Sequence, residues 1–163
     1  MWDVFRQERI VDSDCLDVPV DVPAAFAPIQ RIGGDVGWYF GDALWAARGW
    51  FDSLVGGDGL RRGRRHPVEI EVGDTIDFWR VEAYSANEQL RLRAEMTLPG
   101  EAWLEFRVSS AGPGRTRIEQ DSMFQPSGVA GRAYWYAVYP LHRILFSGML
   151  KEIGRAAQSG VVR

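Results

Sequence analysis

The residue whose type and setting first suggest chemistry is Asp77, in the run Asp77-Phe78-Trp79-Arg80-Val81-Glu82-Ala83. Arg80 and Glu82 mark the wet side of an alternating strand, so Trp79, Val81 and Ala83 define the inward side and carry Asp77 with them. A carboxylate drawn out of water near a strand end is a candidate acid or base, or a polar anchor for a ligand. The plainer alternative is a carboxylate paired with an arginine of residues 61–65 or capping a turn. His142 is the second candidate. It follows Tyr139 and Pro140, where a proline in a helical pattern frees backbone carbonyls. An imidazole can bond such a carbonyl, and it can also serve as a general base near neutrality. No serine or cysteine is identifiable as its nucleophilic partner, so a triad is unsupported.

Gln120 and Ser122 share the inward side of the last strand-like run, with Ile118 and Phe124. Buried amides and hydroxyls need partners, which are backbone groups in a filled core and a ligand in a hollow one. Arg61, Arg62, Arg64 and Arg65 flank Gly63. They suit an anion clamp for phosphate, carboxylate or an anionic lipid, or a solvated loop pairing with Glu69, Glu71 and Asp74. Trp79, Met96, Leu104, Phe106, Tyr134 and Tyr139 are the apolar candidates for contact with a ligand, and each also suits ordinary packing. Trp103 falls on the polar side of its strand, which points to exposure, cover by a loop, or a contact with another subunit.

These residues must be positioned by secondary structure. Alternation predicts an edge strand over 13–20, with Pro19 tolerated there. It also predicts strands around Val68–Val72, Leu90–Met96, Ala102–Val108 and Ile118–Phe124. Gly73-Asp74, Ser85–Asn87, Pro99-Gly100 and Gly112-Pro113-Gly114 are the turns between them. Short connections of this kind imply an antiparallel meander with one wet face. Asp21 is placed to cap a short helix beginning at Pro23. Gly33, Gly34 and Gly37 mark a turn. Residues 38–55 have helical spacing in Phe40, Leu44, Ala47, Phe51 and Leu54, and Gly56-Gly57 ends the run. Residues 128–157 repeat that spacing through Tyr134, Val138, Leu141, Leu145, Met149 and Ile153, with a kink or break predicted at Pro140.

The expected fold class is therefore α+β. A curved antiparallel sheet is covered by one long C-terminal helix. The domain is expected over 13–157, with an extension at 1–12 and a tail at 158–163. Large side chains either fill the space between sheet and helix or leave a cavity there.

Composition narrows the function classes. The 163 residues carry a net charge of −3, which gives no basic field for nucleic acid. The basic residues are eighteen arginines and one lysine. The single Cys15 allows no internal disulfide. His66 and His142 lie far apart and give no metal spacing, so neither metal nor cofactor is expected. No run is long and apolar enough to span a membrane and the first residues lack a signal pattern, so a cytoplasmic location is expected.

Several segments together resemble a known family. They are Ile32-Gly-Gly-Asp-Val-Gly-Trp-Tyr39, Leu44-Trp-Ala-Ala-Arg-Gly49, Asp52–Gly57, Gly59–Pro67 and Gly73-Asp-Thr-Ile-Asp-Phe-Trp-Arg-Val81. Further along are Pro99–Leu104, Phe124-Gln-Pro-Ser-Gly128, Tyr134-Trp-Tyr136 and Pro140-Leu-His142. Over roughly residues 13–155 the chain is similar to an uncharacterised bacterial domain of unknown function. That domain is often fused after an NAD(P)-binding, short-chain-dehydrogenase-like domain. The family resembles the START-like, polyketide-cyclase-like helix-grip superfamily. The chain itself has no glycine-rich dinucleotide fingerprint. The resemblance implies a helix-grip fold and carries no catalytic residue. Three functions stay open. One is a module that binds a hydrophobic or amphipathic small molecule. Another is a cyclase-, dehydratase- or isomerase-like enzyme using Asp77 or His142. The third is an interaction domain for a reductase-like partner. The oligomeric state is left open.

Overall fold

The computed structural model describes residues 9–41, 54 and 63–160. Among these residues, six strands form one antiparallel sheet: β1 (Ile10–Val18), β2 (Thr75–Ile76), β3 (Trp79–Ser85), β4 (Gln89–Ala94), β5 (Gly100–Ser110) and β6 (Thr116–Pro126). The spatial order is β1-β6-β5-β4-β3-β2. The meander over β2–β6 follows the alternating pattern, with turns where glycine, proline and asparagine stand. Among the described residues, two helices cover one face: α1 (Val22–Gln30) and α2 (Gly128–Ser159). This is the helix-grip arrangement that the resemblance implies. Among the described residues, no helix is long and apolar enough to cross a membrane.

Register fixes which side chains face the helices. Val18 pairs with Thr116, Leu16 with Ile118, and Asp12 with Ser122. Gln120 pairs with Phe106, and Leu104 with Leu92. The inward face thus carries Leu90, Leu92, Leu104, Phe106 and Ile118, all fully buried. α1 adds Phe26 and Ile29, and α2 adds Met149, Leu150 and Ile153 to the same cluster. Each such side chain contributes about 1.5–3 kcal/mol by leaving water. The outer face is held by charge pairs such as Arg107–Asp121 at 2.6 Å and Arg117–Asp17 at 2.8 Å. These pairs take up several of the many arginines.

The short helix forms as its sequence directs. The Asp21 carboxylate accepts from the Ala24 amide at 3.3 Å. Proline stands in the first turn, where its missing N–H costs nothing. α2 ends at Gly160 in the left-handed conformation.

Four expectations are corrected. β1 begins at Ile10, not Ser13, because its pairing with β6 continues to Phe124. Residues 68–72 form no strand: Ile70 is buried but Val72 is 65% exposed, and the segment leads into the turn before β2. A bulge in β3 between Val81 and Ala83 shifts its alternation. Tyr84 rather than Ala83 therefore faces inward, where it packs on Phe26. α2 runs unbroken through Pro140. That proline removes only the bond to the Tyr136 carbonyl, on an exposed stretch that water can reach. The helix expected over 38–55 lies mostly outside the described residues. Its first residues, Trp38–Gly41, are described and are not helical.

Candidate functional site

The interior is packed at one end and hollow at the other. A cavity of about 190 Å³ lies between the sheet and the N-terminal half of α2. Its floor comes from Trp79, Ala94, Met96, Ala102, Ser122 and Phe124. Tyr134, Trp135, Val138, Leu141, His142, Leu145 and Phe146 of α2 form its roof. Glycines set the height of that roof. A side chain at Gly131 would strike the Pro99 carbonyl and the Pro126 backbone, and one at Gly154 would strike Leu16. The helix touches the sheet closely at those two points, and the larger residues between them span the gap.

Polar groups are few in this wall. His142 is the most perturbed of them. Its ring lies 4.4 Å from that of Phe146, 4.8 Å from Trp135 and 6.3 Å from Tyr139. Its Nδ1 is buried and stands 3.6 Å from Oδ2 of Asp12. Burial lowers its pKa to about 4; attraction to Asp12 opposes this and repulsion from Arg143 adds to it. Arg143 in turn donates to the other Asp12 oxygen at 3.0 Å. The Ser122 hydroxyl donates to the Asp12 carbonyl at 3.3 Å.

Of the residues picked out in the sequence, Trp79, Met96, Ser122, Tyr134 and His142 meet at this cavity. Leu104 and Phe106 do not line it; they lie in the packed cluster under α1. Gln120 is buried and donates to the Phe146 carbonyl at 2.9 Å, so it ties β6 to α2. Tyr139 is 39% exposed and stacks near His142 outside the lining.

Asp77 is fully buried, as its alternation predicts, but it sits in the turn between β2 and β3 with φ 51° and does not line the cavity. One carboxylate oxygen accepts the Trp38 indole N–H at 2.9 Å and the Gly34 amide at 3.0 Å. It anchors the loop closed by the Gly33–Gly37 bridge. Gly33 has φ 79°, and a Cβ there would strike Ile76. The loop's approach to β2 therefore requires glycine.

Of the arginine run, the described Arg64 and Arg65 do not line the cavity. Arg64 donates to the carbonyls of Gln30 at 2.8 Å, Ile32 at 2.9 Å and His66 at 3.1 Å. It thereby closes the C-terminal end of α1. Arg65 pairs with Asp74 through two bonds of 3.0 and 3.1 Å, and with Glu71 at 3.4 Å. Arg61 and Arg62 lie outside the described residues. A second, more polar cavity of about 230 Å³ lies between Arg31, Gly33, Gly34, Asp35, Val36, Gly63, Arg64 and Pro67. Among the described residues, no cluster of His, Cys, Asp and Glu could hold a metal.

Sequence reasoning missed Asp12, which it assigned to an extension, though its parity with Leu16 and Val18 places it on the inward face. For Trp103, the exposure offered as one alternative is corrected. It is buried under two arginines, whose guanidinium carbons lie 4.3 Å (Arg9) and 6.0 Å (Arg91) from its ring. Cations over an indole face are attracted by its quadrupole. The Trp103 indole also donates to Glu82 at 3.3 Å.

A curved sheet gripped by one long helix over an apolar cavity defines the helix-grip class, and solved structures agree. Norcoclaurine synthase from Thalictrum flavum, solved with dopamine and hydroxybenzaldehyde, aligns with a TM-score of 0.57 and 11% identity, covering 96% of this chain and 90% of the synthase. The Zhui aromatase/cyclase from Streptomyces sp. R1128 gives 0.50 and 13%, covering 93% and 94%. Ara h 8.0201 gives 0.51 and 10%, covering 93% and 99%. At these identities the likeness is one of fold. No curated protein matches the chain in sequence. The chain belongs to the family described as "Protein of unknown function (DUF2867)", whose model matches residues 4–149.

Proposed function

We propose that this protein binds a hydrophobic or amphipathic small molecule between the sheet and α2. The observation that carries the reading is the cavity itself, about 190 Å³ and walled almost wholly by apolar and aromatic side chains. An apolar cavity of roughly 150 Å³ is enough to hold benzene, so this one suits a single ring with small substituents. The synthase of the same fold was solved with ligands of that size, dopamine and hydroxybenzaldehyde. A cyclase- or isomerase-like activity is the second reading. The place of His142 in the wall favours it, with that residue rather than Asp77 as the acid or base.

Toluene is a suitable probe because it tests cavity and shape without polar help. Calorimetry should detect its binding to the native protein. Ala102→Leu, which pushes a larger side chain into the floor, should weaken that binding at least about tenfold while leaving the thermal transition close to wild type. Toluene binding that is absent from the native protein, or unchanged in the variant, rejects the reading.

A further inference from the structure

The polar end of the cavity is built from two elements that the sequence separates by more than a hundred residues. β1 supplies Asp12 and α2 supplies His142. Arg143 donates to Oδ1 of Asp12, which fixes the carboxylate and leaves Oδ2 facing the imidazole. Phe146, Trp135 and Tyr139 enclose the ring and set its orientation. Nδ1 is the buried nitrogen, turned toward Asp12. His142 also lines the cavity, so Nε2 is the nitrogen that a bound molecule can reach. The separation of 3.6 Å exceeds a direct hydrogen bond, as is common for such pairs before a ligand is held.

We infer that Asp12 is a positioning residue that holds His142 as its Nδ1–H tautomer, so that Nε2 accepts a hydrogen bond and the cavity selects a one-ring phenol over an aldehyde or hydrocarbon of the same shape. This deepens the binding reading and rests on it. A carboxylate accepts only, so a neutral imidazole beside it places its proton on the facing nitrogen. The other nitrogen then carries a lone pair. Among the described residues, the other polar groups of the wall do not duplicate its selectivity: the Tyr134 hydroxyl both donates and accepts, so it takes a hydroxyl or a carbonyl alike. The Ser122 hydroxyl is turned to the Asp12 carbonyl, and the indoles of Trp79, Trp103 and Trp135 in the wall can only donate. A hydroxyl on the ligand satisfies Nε2, whereas a carbonyl oxygen meets lone pair with lone pair. Burial keeps the ring neutral near pH 7, with Asp12 and Arg143 the charged groups facing it.

Two measurements test this. Ring-nitrogen NMR of ¹⁵N-labelled wild-type protein near pH 7 should show Nδ1 protonated and Nε2 as the bare nitrogen. In Asp12→Asn the amide can turn its NH₂ toward Nδ1, so the proton should move to Nε2. Calorimetry should then show phenol bound about tenfold more weakly by Asp12→Asn, and benzaldehyde bound as well as or better than by wild type. His142→Phe should erase the preference for phenol over toluene, which keeps the inference testable if Asp12→Asn does not fold. An Nε2–H tautomer in the wild type overturns the inference, as does an equal change for phenol and benzaldehyde in Asp12→Asn. Failure of toluene to bind would reject the cavity reading instead, and the tautomer measurement would still decide the role of Asp12.

Discussion

Protonating His142 inside this fold should cost stability, and the cost can be worked out. The unfolded chain carries an ordinary imidazole near 6.5, while burial lowers the folded value to about 4. The His142 side chain is only 12% exposed, so solvent screens little of that difference. Between these two values the unfolded state binds more protons than the folded one. Stability contributed by the neutral ring is therefore complete above about pH 6.5 and is lost as pH falls toward 4. Applying linkage to the single site gives a loss of about 2.5 kcal/mol between about pH 7.5 and pH 4.5.

Other groups also titrate in that range, so the comparison must be with His142→Gln. Urea unfolding of both proteins across the range isolates the histidine, provided the m-values agree. The wild type should lose about 2–3 kcal/mol more than the variant on acidification. Parallel stability curves would refute the reasoning. A wild type that gains on the variant in acid would mean that attraction to Asp12 outweighs burial, contrary to the order of causes given above.

Trp38→Phe keeps the ring but removes a donor from the buried Asp77 carboxylate. It should cost about 1.5–3 kcal/mol in urea unfolding. Gly131→Ala should destabilise by about 1–3 kcal/mol despite alanine's better helix propensity, because the new Cβ meets the backbone of Pro99 and Pro126. Arg64→Ala should lower unfolding stability by about 2 kcal/mol, because the carbonyls at the end of α1 lose their donor. Arg65→Ala removes an exposed pair and should leave the thermal midpoint near wild type.

Much of the sheet was legible because one face is wet and the other dry, which enforces a period of two. The same rule, applied strictly to β1, would have placed Asp12 inward: it shares parity with Leu16 and with Val18, which is fully buried. Pro19 and the scattered aspartates obscured it. The β3 bulge was not legible, since Ala83 and Tyr84 are both acceptable inward residues and only the pairing with Arg91 and Leu90 decides between them. Trp38 read as the start of a helix because aromatic spacing there is locally helical. Its actual place depends on a bond to Asp77, thirty-nine positions away, which no local pattern encodes. For Arg64 the sequence left an anion clamp and a solvated loop open and pointed to none of the carbonyls it holds, because a guanidinium suits carbonyls of the backbone as readily as it suits an anion.

Whether the interior was hollow could not be read from alternation, since a filled and an empty cavity need the same apolar face. Among the described residues, the difference comes from lengths. α2 has 32 residues and α1 has nine. At the rise of an α-helix they span about 48 Å and about 14 Å respectively. A helix as short as α1 can fill only part of the space beneath the long one. Phe26 and Ile29 share a cluster with Met149, Leu150 and Ile153; Trp135 and Phe124, though buried, lie outside it and face the cavity. With α2 held to the sheet near Gly131 and Gly154, and packed on Phe40 at Gly148, the stretch over the cavity cannot collapse without displacing the backbone at Pro99 and Pro126. The cavity is thus a product of the same glycine contacts that dock the helix. Its polar end falls where the β1 edge passes beneath His142, because the pairing of Asp12 with Ser122 brings that edge to the cavity floor.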